Sequence, residues 1–131
     1  YGTSAGIHVR SKSESMIVYL LHDYKIPFRY ESELELGQVT VYPDFTIRHP
    51  KTGKLFLWEH LGMVDETAYR RNALSKLQLY MEHGWIPSVN LILTFETKEY
   101  PLDMAYVEGL IKDYFVVTDC QRDISLTGQC Q

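Results

Sequence analysis

Residues 88–95 read SVNLILTF, an apolar run almost without polar alternation. A strand with one face in water alternates apolar and polar side chains, so such a run marks a central strand covered on both faces. It follows a helical stretch, Asp65–Glu82, in which Ala68, Tyr69, Ala73, Leu74, Leu77, Tyr80 and Met81 supply the apolar residues. A helix leading into a buried strand is a crossover, and a crossover sets that strand parallel to an earlier one. The chain is therefore expected to fold as an α/β protein around a mixed sheet with helices on both sides.

The remaining elements fit this plan. Met16, Ile17, Tyr19, Leu20, Leu21 and Tyr24 recur at helical spacing ahead of Pro27, and Ser11 or Ser13 can cap that helix. Ser11-Lys12-Ser13-Glu14 has the spacing of a capping box. Three strand-like segments follow, Phe28–Leu36, Val39–Arg48 and Lys54–Leu61, joined by Gly37-Gln38 and by a Pro/Gly turn over His49–Gly53. Asp65 is a suitable N-cap and Gly84 a suitable stop for the second helix. A last helix is expected over Leu102–Tyr114, with a short strand over Phe115–Val117. The order is α-β-β-β-α-β-α. Residues 1–10 read as a small, polar lead-in, 11–117 as one domain and 118–131 as a polar, frayed tail.

A length of 131 residues suits a single core. No apolar run approaches the roughly 18 residues that cross a bilayer, and no secretory signal pattern opens the chain. The first residue is Tyr1, which points to a piece of a longer protein. Cys120 and Cys130 are the only cysteines, and two make no disulfide framework. They are expected to be reduced thiols in a cytoplasmic protein. A net charge of −4 argues against a self-sufficient binder of nucleic-acid phosphates. It leaves room for acidic residues that hold a metal, or for a domain whose neighbours do the binding. No phosphate-binding glycine loop is present, so the domain does not use ATP by itself.

Two carboxylates stand out in the apolar strands. Side chains alternate along a strand, so Tyr42, Asp44 and Thr46 share one face of the second segment. In the third, Leu55, Leu57, Glu59 and Leu61 share a face, opposite Phe56, Trp58 and His60. Pairing through the Pro50–Gly53 turn brings Asp44 and Glu59 onto neighbouring rungs. Two partly buried carboxylates repel, and a bound divalent cation resolves the conflict, with oxygen ligands suiting Mg²⁺ or Mn²⁺. The other reading is that Asp44 caps the bend after Pro43 and Glu59 lies on a solvated face.

Pro43-Asp44, a turn and then Glu59 resemble the PD-(D/E)XK (restriction-endonuclease-like) nuclease superfamily, whose core runs α-β-β-β-α-β. The likeness covers about Arg10 to Phe95. RSKSE at Arg10–Glu14, YPDFTI at Tyr42–Ile47 and WEHLG at Trp58–Gly62 carry it. The combination is similar to variant nuclease domains appended to superfamily I helicases, or found in small stand-alone bacterial or phage proteins. The resemblance implies hydrolysis of DNA phosphodiesters in DNA processing, repair or defence. Asp44 and Glu59 would be metal ligands, the backbone carbonyl of His60 a third, and Glu14 would hold a metal-bound water.

This chain departs from the pattern at Leu61, where the superfamily has lysine. Lys76, on the following helix, is the candidate replacement. Lys76-x-x-x-Tyr80 stands where RecB-type members carry Gln-x-x-x-Tyr, a motif that faces the active site. Arg10 and Lys12 open the first helix and Arg70 and Arg71 the second, so these four, with Tyr80, are candidates for holding nucleic acid. The His60 ring is expected to point away from Glu59. His8, His22, His49 and His83 show no ligand spacing and read as surface residues. Trp58 reads as core. Two functions are thus expected as alternatives: a Mg²⁺- or Mn²⁺-dependent deoxyribonuclease, or a non-catalytic nuclease-fold module that binds DNA or a protein partner such as an upstream helicase.

Overall fold

A computed structural model of the protein describes residues 1–3 and 5–116. The tail, both cysteines and Val117 of the expected last strand lie outside the described residues. Helix α1 (Lys12–Asp23) leads into β1 (Phe28–Tyr30), β2 (Leu34–Leu36), β3 (Val39–Val41), β4 (Phe45–Arg48) and β5 (Leu55–Leu61). Helix α2 (Thr67–Glu82), β6 (Leu91–Phe95) and α3 (Met104–Phe115) complete the order. Strands β1, β4, β5 and β6 form one sheet in that spatial order. Strand β4 runs antiparallel to both β1 and β5, and β6 is parallel to β5. The α/β class and mixed sheet therefore stand.

Two segments that read as single strands are each broken. Glu31 adopts a left-handed backbone, φ 51°, which ends β1 and swings the chain into a separate hairpin. Buried Pro43, with no N–H to give a ladder, separates β3 from β4. The hairpin of β2 and β3 turns at Gly37-Gln38, where Gly37 takes the positive φ such turns require. Strand β6 is shorter than the apolar run and, among the described residues, lies at the edge of the sheet rather than its centre. The run reports burial on both faces, which helices can supply without a second neighbouring strand.

Those faces are distinct. Ile17, Val18 and Leu21 of α1 and Val107, Ile111 and Phe115 of α3 pack on Phe45, Ile47, Phe56, Trp58 and Ile92. Phe115 ends α3 as a core residue and starts no strand. On the other face Leu77 and Tyr80 of α2, with Leu36 of the hairpin, cover Leu57, Leu61 and Leu91. Val9 is 2% exposed and joins the first cluster, so the lead-in is anchored to the core. His49, expected at the surface, is buried: its Nδ1 accepts from the backbone N–H groups of Lys51 and Thr52, closing the β4–β5 turn.

Each helix start follows from local chemistry. Ser11 caps α1, its hydroxyl accepting from Glu14 N–H at 3.1 Å. The Glu14 carboxylate turns back to the N–H of Arg10 at 3.2 Å, one residue beyond the reach of a capping box. Helix α2 starts later than expected. Its N-cap is Glu66, without a side-chain cap, while Asp65 accepts weakly from Lys98 N–H.

Candidate functional site

Strand pairing builds the site. Phe45 lies opposite Trp58, so Asp44, one residue earlier, comes across from Glu59, one residue later. Both side chains leave the sheet on the α2 side, because their neighbours Phe45 and Trp58 fill the α1/α3 side. Asp44 is 9% exposed and Glu59 3%. The strand register sets the two side by side, near enough for the charge of Glu59 to act on Asp44. Asp44 Oδ2 accepts the His60 N–H at 2.8 Å. Burial, and then the charge of Glu59, drives the Asp44 pKa well above the carboxylate range against that stabilising bond.

Helix α2 supplies the partners of Glu59. Tyr80 is fully buried and donates its hydroxyl to Glu59 Oε1. Burial and this carboxylate hold the phenol strongly protonated, its pKa far above the usual value. Lys76 Nζ lies 2.9 Å from the same oxygen, 3.5 Å from the Tyr42 carbonyl and 5.7 Å from the Tyr80 ring centre. Lys76 thus reaches Glu59 but forms no ion pair with Asp44. Tyr80, expected among the groups that hold nucleic acid, lies fully buried with its hydroxyl committed to Glu59.

Asp44 also faces a cleft of about 360 Å³ lined by Arg10, Ser11, Glu14, His60, Gly62 and Tyr69, among others. Glu59 and Lys76 do not line it. Glu14, 5% exposed, enters from the start of α1, its Oε1 fixed by Arg10 N–H, Ser11 Oγ and Tyr30 Oη at 3.2 to 3.3 Å. Arg10 pairs with Glu31 at the rim. Lys12 and Arg71 are exposed, and Arg70 donates to the Val64 carbonyl at 2.7 Å. The structure thus brings Arg10 to the cleft and leaves the other three as surface charges.

The ring of His60 points away from Glu59, into a polar cluster that the sequence did not reveal. Trp58 Nε1 donates to Thr94 Oγ1 at 3.1 Å, and Thr94 Oγ1 lies 2.8 Å from His60 Nδ1. His60 Nε2 reaches Glu96 Oε1 at 2.6 Å, and Ser13 donates its hydroxyl to the same oxygen. Burial alone would raise the Glu96 pKa, but the bonds from Ser13 and His60 hold it below the usual carboxylate value. Ser13 precedes Glu14, so this cluster ties the start of α1 to the ends of β5 and β6. Only Thr94, polar within an apolar run, signalled it in the sequence. Glu96→Ala leaves Ser13, His60 and the Leu102 N–H without their acceptor. It is expected to cost about 2 to 3 kcal/mol in a thermal melt. A melting temperature equal to wild type would dismiss the clamp.

The donor set suits a small, hard divalent cation. Two adjacent buried carboxyls carry oxygen only, and their mutual repulsion is what a cation relieves. Among the described residues no three His, Cys, Asp or Glu side chains converge on one point. A cation here would rest on Asp44 and Glu59, with the His60 carbonyl and water completing its shell, which is how proteins commonly hold Mg²⁺.

No protein-family profile and no solved structure matches this chain. Over 84 residues, 63% of its length, it is 33% identical to an uncharacterized protein of Methanocaldococcus jannaschii. The matched segment spans only 7% of that protein, a small portion of a much longer polypeptide. Among the described residues no helix is long and apolar enough to cross a membrane.

Proposed function

We propose that the chain is a PD-(D/E)XK-type nuclease domain that hydrolyses DNA phosphodiester bonds with Mg²⁺ or Mn²⁺, working inside the cell in DNA processing, repair or defence. The observation that carries this reading is the pair Asp44 and Glu59, buried side by side at the meeting of β4 and β5 with Glu14 across the cleft. A purely structural domain gains nothing from two repelling carboxyls in its sheet.

When bound, the cation would supply an acidified water and neutralise charge on the phosphate. The protein's own groups do the rest. The His60 N–H fixes one oxygen of Asp44, and Tyr80 with Lys76 fixes one of Glu59, so both carboxyls are held in single orientations. Glu14, oriented by Arg10 N–H and Tyr30, faces the cleft where it can accept a proton from a water. Lys76 holds its positive charge beside Glu59 in place of the absent lysine at position 61.

The second reading is a nuclease-fold module that binds DNA or a protein, such as an attached helicase, without cutting. Leu61 favours it: the side chain is 7% exposed and sealed against α2, so no cation issues from the strand. Purified protein incubated with labelled linear duplex and single-stranded DNA decides between them. Cleavage that appears with Mg²⁺ or Mn²⁺ and stops with a chelator supports the nuclease. Binding without cleavage under every divalent metal supports the module.

A further inference from the structure

Among the described residues that line the cleft, Tyr69 is a neutral donor whose hydroxyl proton has no protein acceptor. Tyr69 lies in the first turn of α2, and its hydroxyl oxygen accepts the Gly62 N–H at 2.9 Å. A phenol has one proton to donate and two lone pairs to accept with. The Gly62 bond occupies one lone pair and fixes where the oxygen sits. Among the described residues no acceptor takes the proton. Asp44, Glu59 and Glu14 are near enough to act on the phenol electrostatically, yet none is bonded to it. Burial, followed by those carboxylates, raises its pKa, so the group stays a donor across the working pH range.

An anionic phosphate entering a cleft lined by Glu14, Asp44 and Glu96 needs donors, and the cations beside the cleft are already engaged. Lys76 is paired to Glu59 and Arg10 to Glu31. We propose that Tyr69 is a substrate-contacting residue, its hydroxyl donating a hydrogen bond to a non-bridging oxygen of the scissile phosphodiester. The bond strengthens as charge grows on that oxygen in the transition state. Water oxygen bonds to phosphorus as the bond to the leaving sugar oxygen breaks. The proton that water loses goes to a base or solvent, the leaving oxygen takes one from solvent, and Tyr69 keeps its own. The sequence shows Tyr69 only as one apolar residue of a helical stripe. Its role rests on the phosphodiesterase reading above.

The test uses short single-stranded oligodeoxynucleotides in three forms: all-oxygen, all-Rp and all-Sp phosphorothioate. Binding is measured by anisotropy in Ca²⁺ and cleavage in Mg²⁺, for wild type and Tyr69→Phe. Sulfur accepts a hydrogen bond poorly, so wild type should disfavour one diastereomer. Tyr69→Phe should cleave the all-oxygen strand about 10- to 100-fold more slowly. It should be slowed far less on the one diastereomer whose sulfur replaces the contacted oxygen, a wild-type-to-variant ratio in which discrimination by the cation cancels. A variant that matches wild type, or one that is slowed equally on all three strands, overturns the proposal; the second outcome would assign the hydroxyl to holding Gly62.

Tyr69→3,5-difluorotyrosine keeps size and acceptor, and so tests the role even where the phenylalanine variant does not fold. Its more acidic phenol ionises at lower pH, which removes the donor but retains the Gly62 bond. Cleavage by this variant should fall as pH rises past that ionisation, relative to wild type. A parallel pH profile overturns the assignment. If wild type neither binds nor cleaves any strand, the phosphodiesterase reading falls and this one with it. If wild type cleaves and the variants are indifferent, this one falls alone.

Discussion

Asp44→Asn should abolish DNA cleavage and at the same time make the metal-free protein more stable. The loss follows from the proposed role. A ligated cation supplies several kcal/mol of transition-state stabilisation, and about 4 kcal/mol corresponds to roughly 10³ in rate. The gain follows from the buried pair. An asparagine oxygen still accepts the His60 N–H that Asp44 Oδ2 accepts at 2.8 Å, while its amide can donate to the Glu59 carboxyl next to it. A repulsion becomes a hydrogen bond, worth about 1 to 2 kcal/mol and several degrees in Tm.

The pH dependence has a definite sign. Asp44 binds its proton more tightly in the folded state than at its ordinary value of 3.8. The folded protein is therefore favoured at low pH and penalised as pH rises from about 4 through the raised folded value. The Tm difference between Asp44→Asn and wild type, both in chelator, should be small near pH 4 and widen toward neutrality. Taking the difference removes groups of opposite sign such as Glu96, whose lowered pKa favours the fold above its ordinary value. Saturating Mn²⁺ should then raise the wild-type Tm and leave the variant unmoved, since only a site that binds the folded state stabilises it. A variant that is no more stable than wild type in chelator at pH 7 would refute the repulsion. One that still cuts would refute the ligand role.

What the sequence revealed was whatever a local period carries. Strand alternation put Asp44 and Glu59 on one face, helical spacing put Lys76 and Tyr80 one turn apart, and the run at 88–95 after a helix gave a parallel β6. The breaks in the strands were hidden because a left-handed Glu31 has no compositional sign, unlike a glycine. The position of β6 at the edge was hidden because burial by helices and by strands leaves the same apolar run. The cluster of Ser13, His60, Thr94 and Glu96 joins residues 83 positions apart in sequence, and a period of two or 3.6 says nothing over that distance. Tyr69 was hidden for a different reason: an amphipathic side chain counts as apolar in a helical stripe, whatever its hydroxyl does.

Lys76→Met carries the other large expectation, a fall of about 10² to 10³ in cleavage rate with the fold intact. Methionine keeps the length of the stem and removes only the charge. The ammonium is 34% exposed along its side chain and 2.9 Å from Glu59 Oε1, so it can be removed without opening a cavity. Glu59, 3% exposed, keeps Tyr80 as a donor and is not left unpartnered. The stability cost should accordingly stay near 1 to 2 kcal/mol, below that of stripping a buried ion pair of its only support. Leu61→Lys, which puts a lysine where the proposed nuclease type carries one, should not rescue the variant. Position 61 is sealed among Leu57, Leu77 and Tyr80, and a lysine there buries its charge or displaces α2. Both measurements are needed on folded protein: single-turnover cleavage for the rate, and a thermal melt to show that α2 is still seated. Full activity in Lys76→Met would remove the lysine from the mechanism. Recovery by adding Leu61→Lys would instead show that the strand position is open to a cation after all.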